Sequence, residues 1–107
     1  MKILPDENLP RKLKADFGPE YEVKTVRDMR WLGKKNGELL GLIVFNGFDY
    51  FVTLDKNLRH QQNLNRIQLT IFLLLAINNR RDTLQILIEK IKKKIKEGSL
   101  EKINEIS

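Results

Sequence analysis

Met1-Lys2-Ile3-Leu4-Pro5-Asp6-Glu7-Asn8-Leu9-Pro10 is the stretch that decides the architecture of this chain. Ile3 and Leu4 make a short apolar strand almost at the N-terminus, and two carboxylates, Asp6 and Glu7, follow at once. Asn8 can cap a helix. Pro10 costs nothing in a first helical turn, where its missing N–H would have had no partner. A strand, an acidic pair and a helix start in that order put the carboxylates at the carboxyl end of the strand, where α/β proteins bind ligands.

Outward from there, Leu9, Leu13 and Phe17 recur every four residues and mark a helix over Pro10–Phe17, stopped by Gly18-Pro19. Tyr21–Val26 alternates as a half-exposed strand. Arg27–Lys35 is a connector whose Trp31 is either a core plug or part of a partner surface, the second being favoured. Asn36 reads as the N-cap of a helix to Phe45, with Leu39, Leu42, Ile43 and Phe45 as its buried stripe. Tyr50–Leu54 is a third strand, followed directly by Asp55.

Lys56–Arg66 is polar and reads as a loop with at most one helical turn, with His60 solvated in it. Gln68–Ala76 is a continuous apolar strand, so both its faces should be covered, and Ile77–Arg81 is the loop at its carboxyl end. Leu84, Leu87, Ile88, Ile91 and Ile95 mark an amphipathic helix closed by Gly98, and Leu100–Ile106 reads as a last edge strand. The order β-α-β-α-β-β-α-β gives an α/β class with a mainly parallel sheet of four or five strands flanked by helices. The order of strands across that sheet is left open by the pattern.

A length of 107 residues suits one domain with its own core. No cysteine is present, which removes disulfide frameworks and thiolate metal sites, and His60 is the only histidine, which removes two-histidine metal motifs and argues against Ser-His-Asp chemistry. The longest apolar run, Ile71–Ile77, is too short to span a bilayer, and the N-terminus lacks a signal-peptide pattern, so the cytoplasm is the expected location, with no membrane partner. The net charge of +6 suits a polyanion such as nucleic acid. Lys90, Lys92, Lys93, Lys94 and Lys96, however, share one helix and read as a solvated face.

Three acids share one address. Asp6 follows the first strand, Asp55 follows the third, and Glu38 lies in the first turn of the second helix, reached from the end of strand two. Parallel strands bring all three to one edge of the sheet, where like charges repel unless a cation occupies the gap. Oxygen donors without His or Cys point to Mg²⁺ or Mn²⁺. An acidic pocket in a basic protein is what metal-assisted phosphodiester cleavage requires.

The blocks that carry these acids resemble the small prokaryotic PIN-like nuclease domains, relatives of VapC-type toxins. Asp6-Glu7-Asn8-Leu9-Pro10 after an N-terminal Lys-Ile-Leu strand is similar to the family's opening. Val26-Arg27-Asp28-Met29 precedes Asn36-Gly37-Glu38-Leu39-Leu40, and Phe51-Val52-Thr53-Leu54-Asp55 is similar to its valine-threonine-x-aspartate strand end. The resemblance spans nearly the whole chain and implies a three-layer PIN-like fold and a Mg²⁺- or Mn²⁺-dependent endoribonuclease. It further implies RNA as the substrate, a small antitoxin protein as a possible partner, and possible homodimers. Carried over, Asp6, Glu38 and Asp55 are the metal-binding and catalytic acids, and Asn79, or failing that Asp82, stands where a fourth acid would be. Glu7 and Asn8 are supporting residues, and Lys56, Arg80 and Arg81 are the candidate substrate-binding cations.

The sequence departs from the family's pattern at Pro5, which would tilt Asp6 unless the ladder ends there, and at the amide in the fourth position. Two other classes compete. A non-catalytic interaction module would keep the acids as remnants. A phosphoacceptor receiver domain also carries an acidic pair after strand one and an Asp after strand three, but here the fourth strand ends in Ala76-Ile77 with no hydroxyl, and the chain is one helix short.

Overall fold

The computed structural model describes residues 1–60 and 64–107. Five strands form one all-parallel sheet: β1 (Lys2–Pro5), β2 (Glu22–Val23), β3 (Tyr50–Thr53), β4 (Thr70–Leu74) and β5 (Ile103–Ile106). Among the described residues three α-helices, α1 (Leu13–Asp16), α2 (Asn36–Phe45) and α3 (Arg81–Glu97), alternate with them, and two short 3₁₀ turns, Lys56–His60 and Leu64–Arg66, lie between β3 and β4. The α/β class and the parallel sheet expected from the pattern are both present. Residues 61–63 of the stretch read as a loop lie outside the described residues.

The strand order is β2-β1-β3-β4-β5. The chain steps from β1 out to β2, then returns past β1 to β3 and continues the other way. This reversal opens a crevice between β1 and β3 at their carboxyl ends, the position at which open α/β sheets bind ligands. Successive side chains in a strand point to opposite faces, and β1 divides accordingly. Ile3 joins Tyr50, Val52, Phe72 and Ile106 on the face covered by α1 and α3, whereas Leu4 joins Phe51 and Ile71 under α2. Two buried clusters separated by a sheet make three layers. Burying each of these Leu, Ile or Phe side chains contributes about 1.5–3 kcal/mol, and Ile3, Leu4, Phe72, Leu84, Ile88 and Ile91 are all buried without exposed surface.

Several boundaries differ from expectation. The helix expected from Pro10 is regular only over Leu13–Asp16. Pro10, Arg11 and Lys12 accept i→i+3 bonds from Leu13, Lys14 and Ala15, so the segment enters as a tight 3₁₀-like turn and buries Leu9, Leu13 and Phe17 without a full α-helix. Strand β2 is two residues long because it pairs only with Lys2 and Ile3 of β1, and the chain then leaves the edge through a Thr25–Asp28 turn.

Lys35, not Asn36, holds the capping position of α2. Its buried residues are Leu39, Leu40 and Ile43; Leu42 is half-buried and Phe45 is exposed. Apolar side chains surround this helix almost completely, so their spacing does not single out the inner face. Trp31 is a core plug and not a partner surface: it is buried and meets Phe48 edge-on at 6.1 Å. Gly98 ends α3 in the left-handed region (φ 77°), its N–H bonding the Lys94 and Ile95 carbonyls. Strand β5 occupies the edge, as read, with the buried Asn104 amide donating to the Ile71 and Glu101 carbonyls.

Candidate functional site

Pro5 closes β1 at the crevice. The N–H of Asp6 bonds the Val52 carbonyl of β3 at 2.9 Å. Amides alternate sides along a strand, so the Pro5 nitrogen faces β2, whose pairing has already ended with the Lys24 N–H on Ile3. The proline therefore breaks no ladder bond, and Asp6 keeps its place on the β3 side.

Beyond the two strand ends lies a cleft of about 430 Å³, whose polar wall includes Asp6, Glu7, Asn8, Thr53, Asp55 and Asn79. Its floor is apolar, from Leu39, Leu40 and Leu58, and Lys34 and Lys35 close the α2 side. Asp6 and Asp55 are linked by one hydroxyl. Thr53 Oγ1, fully buried, donates to Asp6 Oδ2 at 2.8 Å and accepts the Asp55 N–H at 3.0 Å. The other Asp6 oxygen accepts the Glu7 N–H at 2.8 Å, and Asp55 Oδ1 accepts the Asn57 N–H at 2.9 Å, which holds the turn after β3. Glu7 takes the Gly33 N–H at 3.4 Å, and Asn79 donates to the Asn8 carbonyl at 3.3 Å.

These contacts leave Asp6 in an unusual electrostatic position. Burial pushes its carboxyl above the usual 3.8; the hydrogen bonds from Thr53 and Glu7 oppose that rise, and the charges of Glu7 and Asp55 add to it. No Lys or Arg is paired with it among the described residues.

The expected residues divide into three groups. Asp6, Asp55, Glu7, Asn8 and Asn79 line the one cleft. Glu38 does not: its carboxylate is exposed and pairs with Lys34 one helical turn back, at 3.0 Å. The candidate cations also lie elsewhere. Arg81 grips Asp16 with two bonds, at 3.0 and 3.1 Å, and Arg80 pairs with Asp82 at 2.8 Å. Lys56 is exposed outside the cleft wall, and His60 is exposed as read.

Thr53 and the two lysines are the residues that sequence reasoning passed over. In the sequence Thr53 stands only as a member of the strand-end block that carries Asp55. The signal for Lys34 and Lys35 was their position, since the connector after β2 must return to the same rim.

Among the described residues, no three Asp, Glu or His side chains stand together as a metal-holding group. The donor set still suits a hard cation, because Mg²⁺ commonly keeps several waters and takes only one or two carboxylates from the protein. Asp6 and Asp55 supply two, at the mouth of a cleft whose other polar groups are amides, a hydroxyl and Glu7. Among the described residues, no helix is long and apolar enough to cross a membrane. Comparison of the chain with family models, with curated proteins and with solved structures gave no match.

Proposed function

We propose that this protein is a Mg²⁺- or Mn²⁺-dependent endoribonuclease of the PIN-like kind, working at the cleft between β1 and β3. One observation carries the reading. Asp6, half-buried without a basic partner among the described residues and raised in pKa, stands beside Asp55 at the switch point of the sheet, and one threonine hydroxyl bridges the two residues. The raised pKa means that the ionised Asp6 costs the fold stability, so the arrangement points to a ligand that supplies positive charge.

In this reading Asp6 and Asp55 would hold the cation, and Thr53 fixes the orientation of Asp6. Glu7, Asn8 and Asn79 would orient the substrate from the cleft wall. When bound, the cation would supply an acidified water and offset negative charge on the phosphodiester. A role for the chain as the toxin of a toxin–antitoxin pair belongs to the same proposal and rests on the sequence resemblance alone.

Glu38 favours a second reading. Its pairing with Lys34 leaves the cleft one acid short of the family's pattern, as a non-catalytic interaction module would be. The sheet order is also that of flavodoxin-like folds, receivers among them. Leu75-Ala76-Ile77 after β4, however, offers no hydroxyl, and among the described residues between β3 and β4 there are two 3₁₀ turns and no α-helix.

Cleavage of single-stranded RNA in Mn²⁺ separates the readings. The wild type should cut, and Asp55→Asn and Asp6→Asn should each lose at least about a hundredfold in rate, in line with the several kcal/mol of transition-state stabilisation assigned to a catalytic cation. Unchanged cleavage in both variants would remove the site from the mechanism.

A further inference from the structure

A nuclease built on this cleft faces an electrostatic problem. Asp6, Glu7 and Asp55 repel the phosphates on either side of the one to be cut, and a cation between the carboxylates answers only for the central phosphate. Fixed positive charge is needed along the strand. The cations suggested by the sequence are not there: Arg81 is held by Asp16, Arg80 by Asp82, and Lys56 lies outside the cleft wall.

We infer that Lys34 and Lys35 are the residues that grip the RNA backbone, one phosphate each, on the α2 side of the cleft opposite Asn79. This rests on the nuclease reading and names its substrate contacts. Both lysines line the same cleft as the acids. Lys35 makes no ion pair among the described residues, and it sits in extended backbone immediately before α2.

Lys34 is paired with Glu38, but both side chains are substantially exposed, at 45% and 61%. An exposed pair one helical turn apart is weak and salt-sensitive, so a phosphate can replace the carboxylate. Glu38 thereby acquires a role: it parks Lys34 at the cleft mouth in the absence of RNA. The segment bearing the lysines is steadied from the acidic side, since the Gly33 N–H reaches Glu7. The apolar floor and the cleft volume of about 430 Å³ suit about one or two nucleotides of a single strand, not a duplex.

The basic residues of α3 are the natural rival. That helix begins with Arg81 after the carboxyl end of β4 and ends at Glu97 before the amino end of β5. Lys93 lines a groove with Glu105, Ile106 and Ser107 beside β5, and Lys96 one with Glu20 and Glu89; neither lines the cleft of the acids.

The test is fluorescence anisotropy of a short labelled oligouridylate with the full chain in Ca²⁺, which takes oxygen donors in looser geometry, across a series of salt concentrations. Lys34→Met and Lys35→Met should each weaken binding several-fold and flatten the plot of log affinity against log salt by about 0.7. The double variant should flatten it by about 1.4. Lys93→Met should change neither quantity, and Lys34→Arg should restore the slope. Glu38→Gln, which frees Lys34, should bind at least as tightly as wild type. A double variant with wild-type affinity and slope overturns the assignment, as does an equal loss in Lys93→Met. Either result can occur while Mn²⁺-dependent cleavage and its dependence on Asp55 stand, so the grip can fail without the nuclease reading failing.

Discussion

Asp6 and Asp16 are two aspartates in one small protein that obey opposite rules. Asp16, at the end of α1, takes two bonds from Arg81 and one from Gln85, and its backbone carbonyl takes the Lys92 ammonium. The bonded Arg81 guanidinium is the main reason its carboxyl is held below the usual 3.8. Asp6 has a hydroxyl and one amide for company, and burial raises its pKa. The first carboxylate ties α1 to α3 and stabilises the fold. The second is maintained at a cost. That contrast separates an aspartate whose charge ties two helices together from one whose charge the fold disfavours.

The largest effect should come from removing the hydroxyl between the acids. Thr53→Val keeps the shape but leaves Asp6 without its side-chain donor and the Asp55 N–H without its acceptor. It should cost about 1–3 kcal/mol, read as a lower urea midpoint at unchanged slope. A variant as stable as wild type would mean that Asp6 needs no such support, and the contrast with Asp16 would collapse.

Arg81→Ala should act less strongly and only on the other region. Its melting temperature should drop by on the order of a few degrees at pH 7. The sign with pH follows from the lowered pKa of Asp16. The ionised aspartate stabilises the fold above its ordinary 3.8, and that contribution is lost as pH falls through the lower folded value. The gap between wild type and variant should therefore close in acid. Asp28, lowered to about 2 chiefly by the Thr25 N–H and then by Lys14, adds to the acid limb between 3.8 and about 2. A gap that persisted once Asp16 is protonated in the folded protein would show that Arg81 acts through packing. RNA binding should be untouched, because Arg81 points at Asp16 and not at the cleft.

Asp6 and Asp55 were legible in the sequence because each stands after a short apolar strand, and the parallel topology leaves strand ends only one place to gather. Glu38 was not. Its direction depends on how α2 is rolled against the sheet, and a helix apolar on nearly every side carries no record of that roll; the same ambiguity concealed the exposure of Phe45. Arg81 looked like a free cation because its partner lies 65 residues away, beyond any local pattern. The shortening of α1 and β2 was hidden likewise, since strand length depends on the neighbour: β2 ends where β1 stops offering partners. Strand order, which creates the crevice, is a property of long-range pairing and had to come from the fold.

On the proposed reading, the charge on Asp6 is a burden to the empty fold and an asset to a bound cation. Thermal melting of the wild type and Asp6→Asn at pH 7, with and without millimolar Mn²⁺, separates the two roles. Because the folded pKa of Asp6 lies above 3.8, its carboxylate costs stability at neutral pH and nothing below 3.8, where it is protonated in both states. Without metal, Asp6→Asn should melt above wild type, and that advantage should vanish in acid. Added Mn²⁺ should raise the wild type, by mass action on the folded state, and leave the variant where it was. Mn²⁺ that moved neither protein, or both alike, would contradict the claim.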